Sequence, residues 1–220
     1  MNLRKSGSEF LGTSVLAMTV VGSGEMAQSL SSDLGVQLLI NALSTSAILY
    51  LLITVLADVS GAHLNPLVSL IATYKKDLKI SESLSYISAQ FSGGLIGVAL
   101  ANLMFDLPVF TASSHIRSGG SLFLSEVIAT TGLIFIILTA FDLKREKKIP
   151  NLVACWIGAA YFFTSSTSFA NPAVTFARGW SDTFAGIAPR SIALFIVAQL
   201  IGAILGLILS RAISVKSKGK

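Results

Sequence analysis

Charge is what this chain has least of. Only 12% of its 220 residues are Asp, Glu, Lys or Arg, about half the ~25% of a soluble domain. Together with 53% hydrophobic residues and a mean hydropathy of +0.75, this excludes a water-soluble globular protein and indicates one integral to the lipid bilayer. Cysteine is nearly absent. Cys155 stands alone, so the chain forms no internal disulfide and no thiolate metal cluster. Its apolar surroundings predict a packing role. The phosphate-binding, zinc-peptidase and serine-hydrolase motifs are missing, and no nucleophile–base set replaces them. An enzyme is not expected, nor a metal or other cofactor. The net charge of +5 does not point to nucleic acid, because the basic residues fall in short loops between apolar runs. Arg4 and Lys5 ahead of an apolar stretch imitate a signal peptide. That stretch is too long for one and contains Glu9, so it reads as an uncleaved first span.

What is present is a set of six apolar spans, at about 8–28, 37–57, 83–104, 121–141, 150–169 and 190–210. Linkers are short, so residues 1–220 read as one domain. Thirteen of the 16 basic residues lie in alternate loops: Arg4 and Lys5; Lys75, Lys76 and Lys79; Lys144, Arg145, Lys147 and Lys148; Arg211, Lys216, Lys218 and Lys220. Only Arg117, Arg178 and Arg190 fall on the other side. The positive-inside rule then places both termini in the cytoplasm. Compact loops suit a bacterial inner membrane.

Two of the five prolines follow asparagine. Asn is a strong helix N-cap and Pro suits the first helical position. His63-Leu64-Asn65-Pro66-Leu67 and Phe169-Ala170-Asn171-Pro172-Ala173 therefore each read as an abrupt helix start. The helices that follow, about 65–74 and 171–181, are ~15 Å long at 1.5 Å per residue, half of a ~30 Å hydrocarbon core. Two such half-helices meeting tip to tip would cross one membrane and build a pore, with the asparagines at its middle. The sequence repeats in the same order. Ser8-Glu9 returns as Ser125-Glu126, the Asn-Pro segment recurs, and Ala89-Gln90 returns as Ala198-Gln199. Each half (about 8–104 and 121–210) has an odd number of spans, so the second enters from the opposite side as an inverted repeat.

Chemistry follows from these positions. Asn65 and Asn171 would cap their half-helices and aim amides into the lumen, replacing hydration for a passing solute. The helix N-termini put partial positive charge at mid-membrane, opposing cations and protons. Glu9 and Glu126 are acids inside spans, which need partners. Backbone N–H groups of the half-helix loops are the expected ones, and a proton relay is the rival. Gly93, Gly94, Gly97, Gly202 and Gly206 read as close-packing positions and Gln90 and Gln199 as interhelical hydrogen-bonders. His63 lines the inner mouth or ties the loop down, and Asp58 pairs with backbone or with His63.

With both Asn-Pro motifs, the repeat and the six spans in hand, the sequence resembles an aquaporin, of the major intrinsic protein family, over about residues 8–210. The resemblance implies a right-handed all-α bundle of six transmembrane helices with two re-entrant half-helices, assembled as a homotetramer with one pore per subunit. It implies passage of water and small neutral solutes. Two departures stand out. The first motif is Asn65-Pro66-Leu67, with Leu for the family's Ala, which changes packing near the crossing point. The position after Asn171-Pro172-Ala173 is Val174, where the family carries a filter Arg. The other filter positions fall near Thr45, Ala159 (with Ala160 as its neighbour) and Ser168. That set is small and uncharged, and implies a wide filter of low polarity. Arg178, one turn past Val174, lines the outer vestibule in place of the missing cation, or else snorkels or pairs with Asp182. The run from Asn171 to Ile187 resembles a bacterial aquaporin branch associated with arsenic resistance, which makes trivalent arsenic acid and methylated arsenicals candidate solutes beside glycerol. A secondary transporter, which also uses inverted repeats and broken helices, is the reading from another class; it would need coupling-ion ligands near the midplane.

Overall fold

In the computed structural model, which describes residues 2–213, the described residues are mostly helical and form no strand. The order is α1 (Leu3–Leu30), α2 (Leu34–Ser60), α3 (Pro66–Tyr74), α4 (Ile80–Met104), α5 (Gly120–Asp142), α6 (Ile149–Phe163), α7 (Pro172–Ala177) and α8 (Pro189–Ile213). Among the described residues, five helices are long and apolar enough to span a bilayer: α1, α2, α4, α5 and α8. The fifth expected span is shorter than 150–169. α6 has 15 residues, ~22 Å, and ends where Thr164 turns extended and its hydroxyl bonds back to the Ala160 carbonyl at 2.6 Å. The polar run Thr164–Ser168 serves the re-entrant loop instead of the span.

The two half-helices begin as their sequences require. Asn65 caps α3 and Asn171 caps α7, with Pro66 and Pro172 at the first turn. α7 is only six residues long and continues as a 3₁₀ turn over Arg178–Trp180. Ahead of each cap the backbone enters the left-handed region at matching places: Gly61, Ala62 and Leu64 in one loop, Thr167, Ser168 and Ala170 in the other. Non-glycine residues hold such angles only when their surroundings dictate them, and here a buried carboxylate does so in each loop.

The inverted repeat is visible in the packing. In the first half Gly93 and Gly97 of α4 abut the backbone of Phe10 and Ser14 in α1. In the second half Gly202 and Gly206 of α8 abut the backbone of Val127 and Thr131 in α5. Without a Cβ at these positions the helix backbones approach closely, and dispersion and polar contacts supply the attraction that apolar lipid cannot. The basic segments gather on one face. Lys5 pairs with Glu82 at 4.0 Å, Lys75 with Asp142 at 3.9 Å, and Arg211 donates to the Tyr74 hydroxyl at 3.0 Å. Lys216, Lys218 and Lys220 lie outside the described residues. On the other face the chain between α4 and α5 docks on the segment after α7, through Thr111 N–H to the Trp180 carbonyl and Ser113 N–H to the Gly179 carbonyl. Cys155 is exposed on the outside of the bundle rather than packed within it.

A methyl group at Gly206 would sit 2.6 Å from the Thr131 carbonyl oxygen and 2.9 Å from Ile134 Cβ. Backbone cannot yield there without separating α5 from α8. Gly206→Ala is expected to destabilise the protein by ~1–3 kcal/mol through overpacking, read as a lower midpoint for loss of monodisperse protein on heating in detergent.

Candidate functional site

Glu9 and Glu126 organise the centre. Both are fully buried. Glu9 Oε1 accepts from the Ser60 hydroxyl at 2.6 Å and His63 N–H at 2.9 Å, and its Oε2 from Leu64 N–H at 2.6 Å and Gln90 Nε2 at 2.8 Å. Glu126 repeats the set with Ser166 at 2.6 Å, Phe169 N–H at 2.9 Å, Ala170 N–H at 2.9 Å and Gln199 Nε2 at 2.7 Å. Four donors satisfy each buried carboxylate, and neither acid is among the residues lining the cavity. The glutamines do more than bridge helices. Gln90 Nε2 reaches Ser69 at 3.1 Å and Gln199 Nε2 reaches Thr175 at 2.8 Å, so each joins its Glu to a half-helix.

The two loops also hold each other. Asn65 Nδ2 donates to the Ala170 carbonyl at 2.8 Å, and Asn171 Nδ2 to the Leu64 carbonyl at 2.7 Å. The Oδ1 of Asn65 caps Leu67 N–H, and that of Asn171 caps Ala173 and Val174 N–H. An amide carries two N–H bonds. One from each asparagine ties the opposite loop, a bond the sequence did not suggest. Both residues still line the cavity. His63 satisfies both of its expected roles in geometry: its Nδ1 is 3.0 Å from Ser69 Oγ, and it lines the cavity. Asp58 is exposed and forms no pair with His63. Leu67 is 1% exposed and packs on Ile134, Leu138 and Ala203, away from the lumen.

A cavity of about 490 Å³ runs past these tips. Lys75, Asp77 and Asp142 line it on the basic face, Asn65 and Asn171 in the middle, and Thr45, Tyr161, Ser168, Val174 and Arg178 towards the other face. Leu16, Val20, Leu49, Ile53, Val153 and Ile157 form an apolar wall. Thr45, Ser168 and Val174 thus come together, but Ala159 does not. It is exposed on the outside of α6, and Ala160, though fully buried, is not a lining residue either. Two positions along a helix are ~200° apart, and Tyr161 takes the inward place, its hydroxyl 3.0 Å from Thr45 Oγ1. The set is therefore not small throughout.

Arg178 lines the cavity towards the outer face, as one expectation had it, but at 2% exposure it does not snorkel. Its guanidinium lies 3.4 Å from the Phe169 ring centroid and its Nε donates to the Ala185 carbonyl. Asp182 is bound instead by Ser114, through N–H and hydroxyl at 2.8 Å each, and these bonds hold its carboxyl below the usual range. Arg117, which the sequence marked only as an outer-loop charge, reaches the same place. It donates to the Gly186 and Phe184 carbonyls at 2.8 and 3.3 Å and sits 5.2 Å from the Phe169 ring centroid. Burial pushes the Arg117 pKa down. No local sequence pattern announces Arg117 or Tyr161; both are brought in by tertiary packing.

Six long helices around two half-helices, whose tips meet beside a cavity lined from Lys75 to Arg178, define a pore-type channel. The carboxylates are engaged off the lumen, which removes the midplane ion ligands a coupled transporter would use. Among the described residues no group of His, Cys, Asp or Glu could hold a metal ion. Residues 1–170 match the major intrinsic protein family. The chain is 45% identical over 208 residues to the aquaglyceroporin AqpS of Rhizobium meliloti strain 1021, covering 94% of this chain and 89% of that one. It is 31% identical over 183 residues to an aquaglyceroporin of Toxoplasma gondii, covering 80% of this chain and 64% of that one. The crystal structure of the Plasmodium falciparum aquaglyceroporin superposes with a TM-score of 0.68 at 23% identity, covering 97% of each chain, and so shares the fold. The chain belongs to the major intrinsic protein family. It is a membrane channel for water and small solutes, and not an enzyme.

The glutamate network makes a sharp prediction. Glu126→Gln replaces one of the two acceptor oxygens by a donor, so either Phe169 N–H, bound to Oε1, or Ala170 N–H, bound to Oε2, is left unpaired. A loss of ~1–3 kcal/mol is expected, measured as a lower thermal midpoint in detergent with reduced water flux per reconstituted protein. An unchanged midpoint and flux would show that the loop is held by other contacts.

Proposed function

We infer that this chain is a passive channel of glycerol type, which carries small uncharged polyhydroxylated solutes as well as water. One observation carries the reading: the lumen is amphipathic along its length. The apolar wall from Leu16 to Ile157 faces a strip of polar groups at Asn65, Asn171, Ser168 and Tyr161. A polyol lays its carbon skeleton on such a wall and turns its hydroxyls to the strip, replacing the water it sheds. Thr45, Tyr161, Ser168 and Val174 form the filter in this account, with Tyr161 in place of Ala159. Neutral trivalent arsenic acid bears three hydroxyls and no charge, so the same strip suits it. The resemblance of the Asn171–Ile187 run to arsenic-associated aquaporins makes it, with methylated arsenicals, the next solute to try. The working arrangement is a homotetramer in the cell's inner membrane. The Lys- and Arg-rich face and both termini lie in the cytoplasm, as the positive-inside rule directs. Water, small neutral solutes and lipid are its partners.

Stopped-flow light scattering of proteoliposomes in a glycerol gradient tests this. A fast shrinkage followed by reswelling well above protein-free vesicles is expected, at rates linear in the gradient. Shrinkage without reswelling would mean a water-only filter, and saturable flux driven by a proton gradient would favour a coupled transporter.

A further inference from the structure

We propose that a groove between the N-terminal ends of α5 and α8, on the face opposite the Lys-rich one, binds an anionic phospholipid whose phosphate sits between Arg117 and Arg190. The groove has a volume of about 270 Å³. Arg117, Ser118, Gly119 and Gly120 line its polar end, and Phe123 and Leu194 its apolar end. Of the 16 basic residues, only Arg117, Arg178 and Arg190 fall to this side of the topology. Arg178 is buried beside the pore, and the other two meet at the groove. Arg117 N–H donates to Ser191 Oγ at 3.1 Å, which seats Arg117 on the first turn of α8. Arg190 directly precedes Ser191 and is exposed. It stands four residues before Leu194, hence on the same helix face.

Neither cation has a counter-ion. Among the described residues no carboxylate pairs with either arginine; the ion pairs are Lys5–Glu82 and Lys75–Asp142, on the opposite face. Arg117 Nε and Nη2 hold the Gly186 and Phe184 carbonyls at 2.8 and 3.3 Å, which fixes the guanidinium, and Nη1 bonds to none of the described residues. Beside it the backbone is bare. A Cβ at Gly119 or Gly120 would meet nothing within 4 Å, so open space stands at the start of α5. Gly119 caps this 23-residue helix without a side chain, so its first N–H groups go without a side-chain acceptor. A phosphate suits all of these groups. Guanidinium binds it through charge-assisted hydrogen bonds, and helix N–H groups favour an anion. The apolar end selects a lipid over a soluble phosphate. Leu194 is 53% exposed, and Val197 and Ile201 continue its face along α8 at 45% and 40%. An acyl chain lies on that stripe while its phosphate meets the arginines at headgroup depth, as in other basic pockets between membrane helices. Bound there, the phosphate bridges α5 to α8 and steadies Arg117, and through it the chain before α8.

Quenching by brominated lipid reads this place directly. In a Cys155→Ser background, a bimane label on Val197→Cys, one turn from Leu194, is reconstituted in mixed phosphatidylglycerol and phosphatidylcholine of matched chains. The relative binding constant should favour brominated phosphatidylglycerol by at least about fivefold, and the preference should shrink with added salt. Arg190→Gln leaves the bonds of Arg117 intact and should reduce the preference by about fivefold, the effect of one cation near an anionic surface. Ser118→Glu places a carboxylate in the groove and should abolish it. A preference absent from the start, or unchanged in both variants, overturns the inference. Complete competition by excess glycerol 3-phosphate would assign the groove to a soluble phosphate and overturn the lipid; no competition supports it. Quenching needs no solute flux, so its outcome stands apart from the glycerol-type reading.

Discussion

The structure depends on two buried carboxylates, each collecting two backbone N–H groups of a loop that would otherwise have no reason to hold its shape. Membrane interiors leave no water to satisfy irregular backbone, so a re-entrant loop survives only where protein groups complete its hydrogen bonds. Glu9 and Glu126 do this at symmetric places. The Leu64 and Ala170 carbonyls of these stretches accept from the asparagine of the opposite loop. Burying an ion is expensive, and each Glu meets that cost with four donors. The chain has two such acids and uses both, so neither is left to carry protons along the lumen.

From this constraint the pore follows. Loops held by glutamates present asparagine caps at fixed positions. The caps exchange hydrogen bonds with the opposite loop, and the two half-helices become a single transmembrane unit. The glycine contacts of α1 with α4 and α5 with α8 draw the outer helices in far enough for Gln90 and Gln199 to reach the glutamates. What remains in the middle is a lumen with one apolar and one polar side.

The sequence made the scaffold legible because its signals are local and doubled. Asn-Pro states a helix start by itself, and its second occurrence, within a repeat that also carried Glu and Gln, fixed the architecture. The roles of the glutamates followed from cost, since an unpartnered acid in a span has no physical home. The filter was less legible. Ala159 follows from counting back from the second Asn-Pro motif, whereas α6 ends at Phe163 and turns Tyr161 inward. A two-residue error on a helix reverses the face. Arg178 was recognised as unusual, but its burial depends on Phe169 and on carbonyls brought round by the chain before α8, and Arg117 enters from a loop 61 residues earlier in sequence. Contacts of that range leave no periodic trace.

The claim on which the account turns is that the cavity flanked by Tyr161 is the solute path. Single cysteines placed in a Cys155→Ser background, reconstituted and exposed to mercuric ion, test it directly. Water flux through Tyr161→Cys should fall to the protein-free level and recover with a thiol reductant, while Ala159→Cys, on the outer surface of α6, should be insensitive. Block of Ala159→Cys with Tyr161→Cys unaffected would contradict the account and put the path on the other face of that helix.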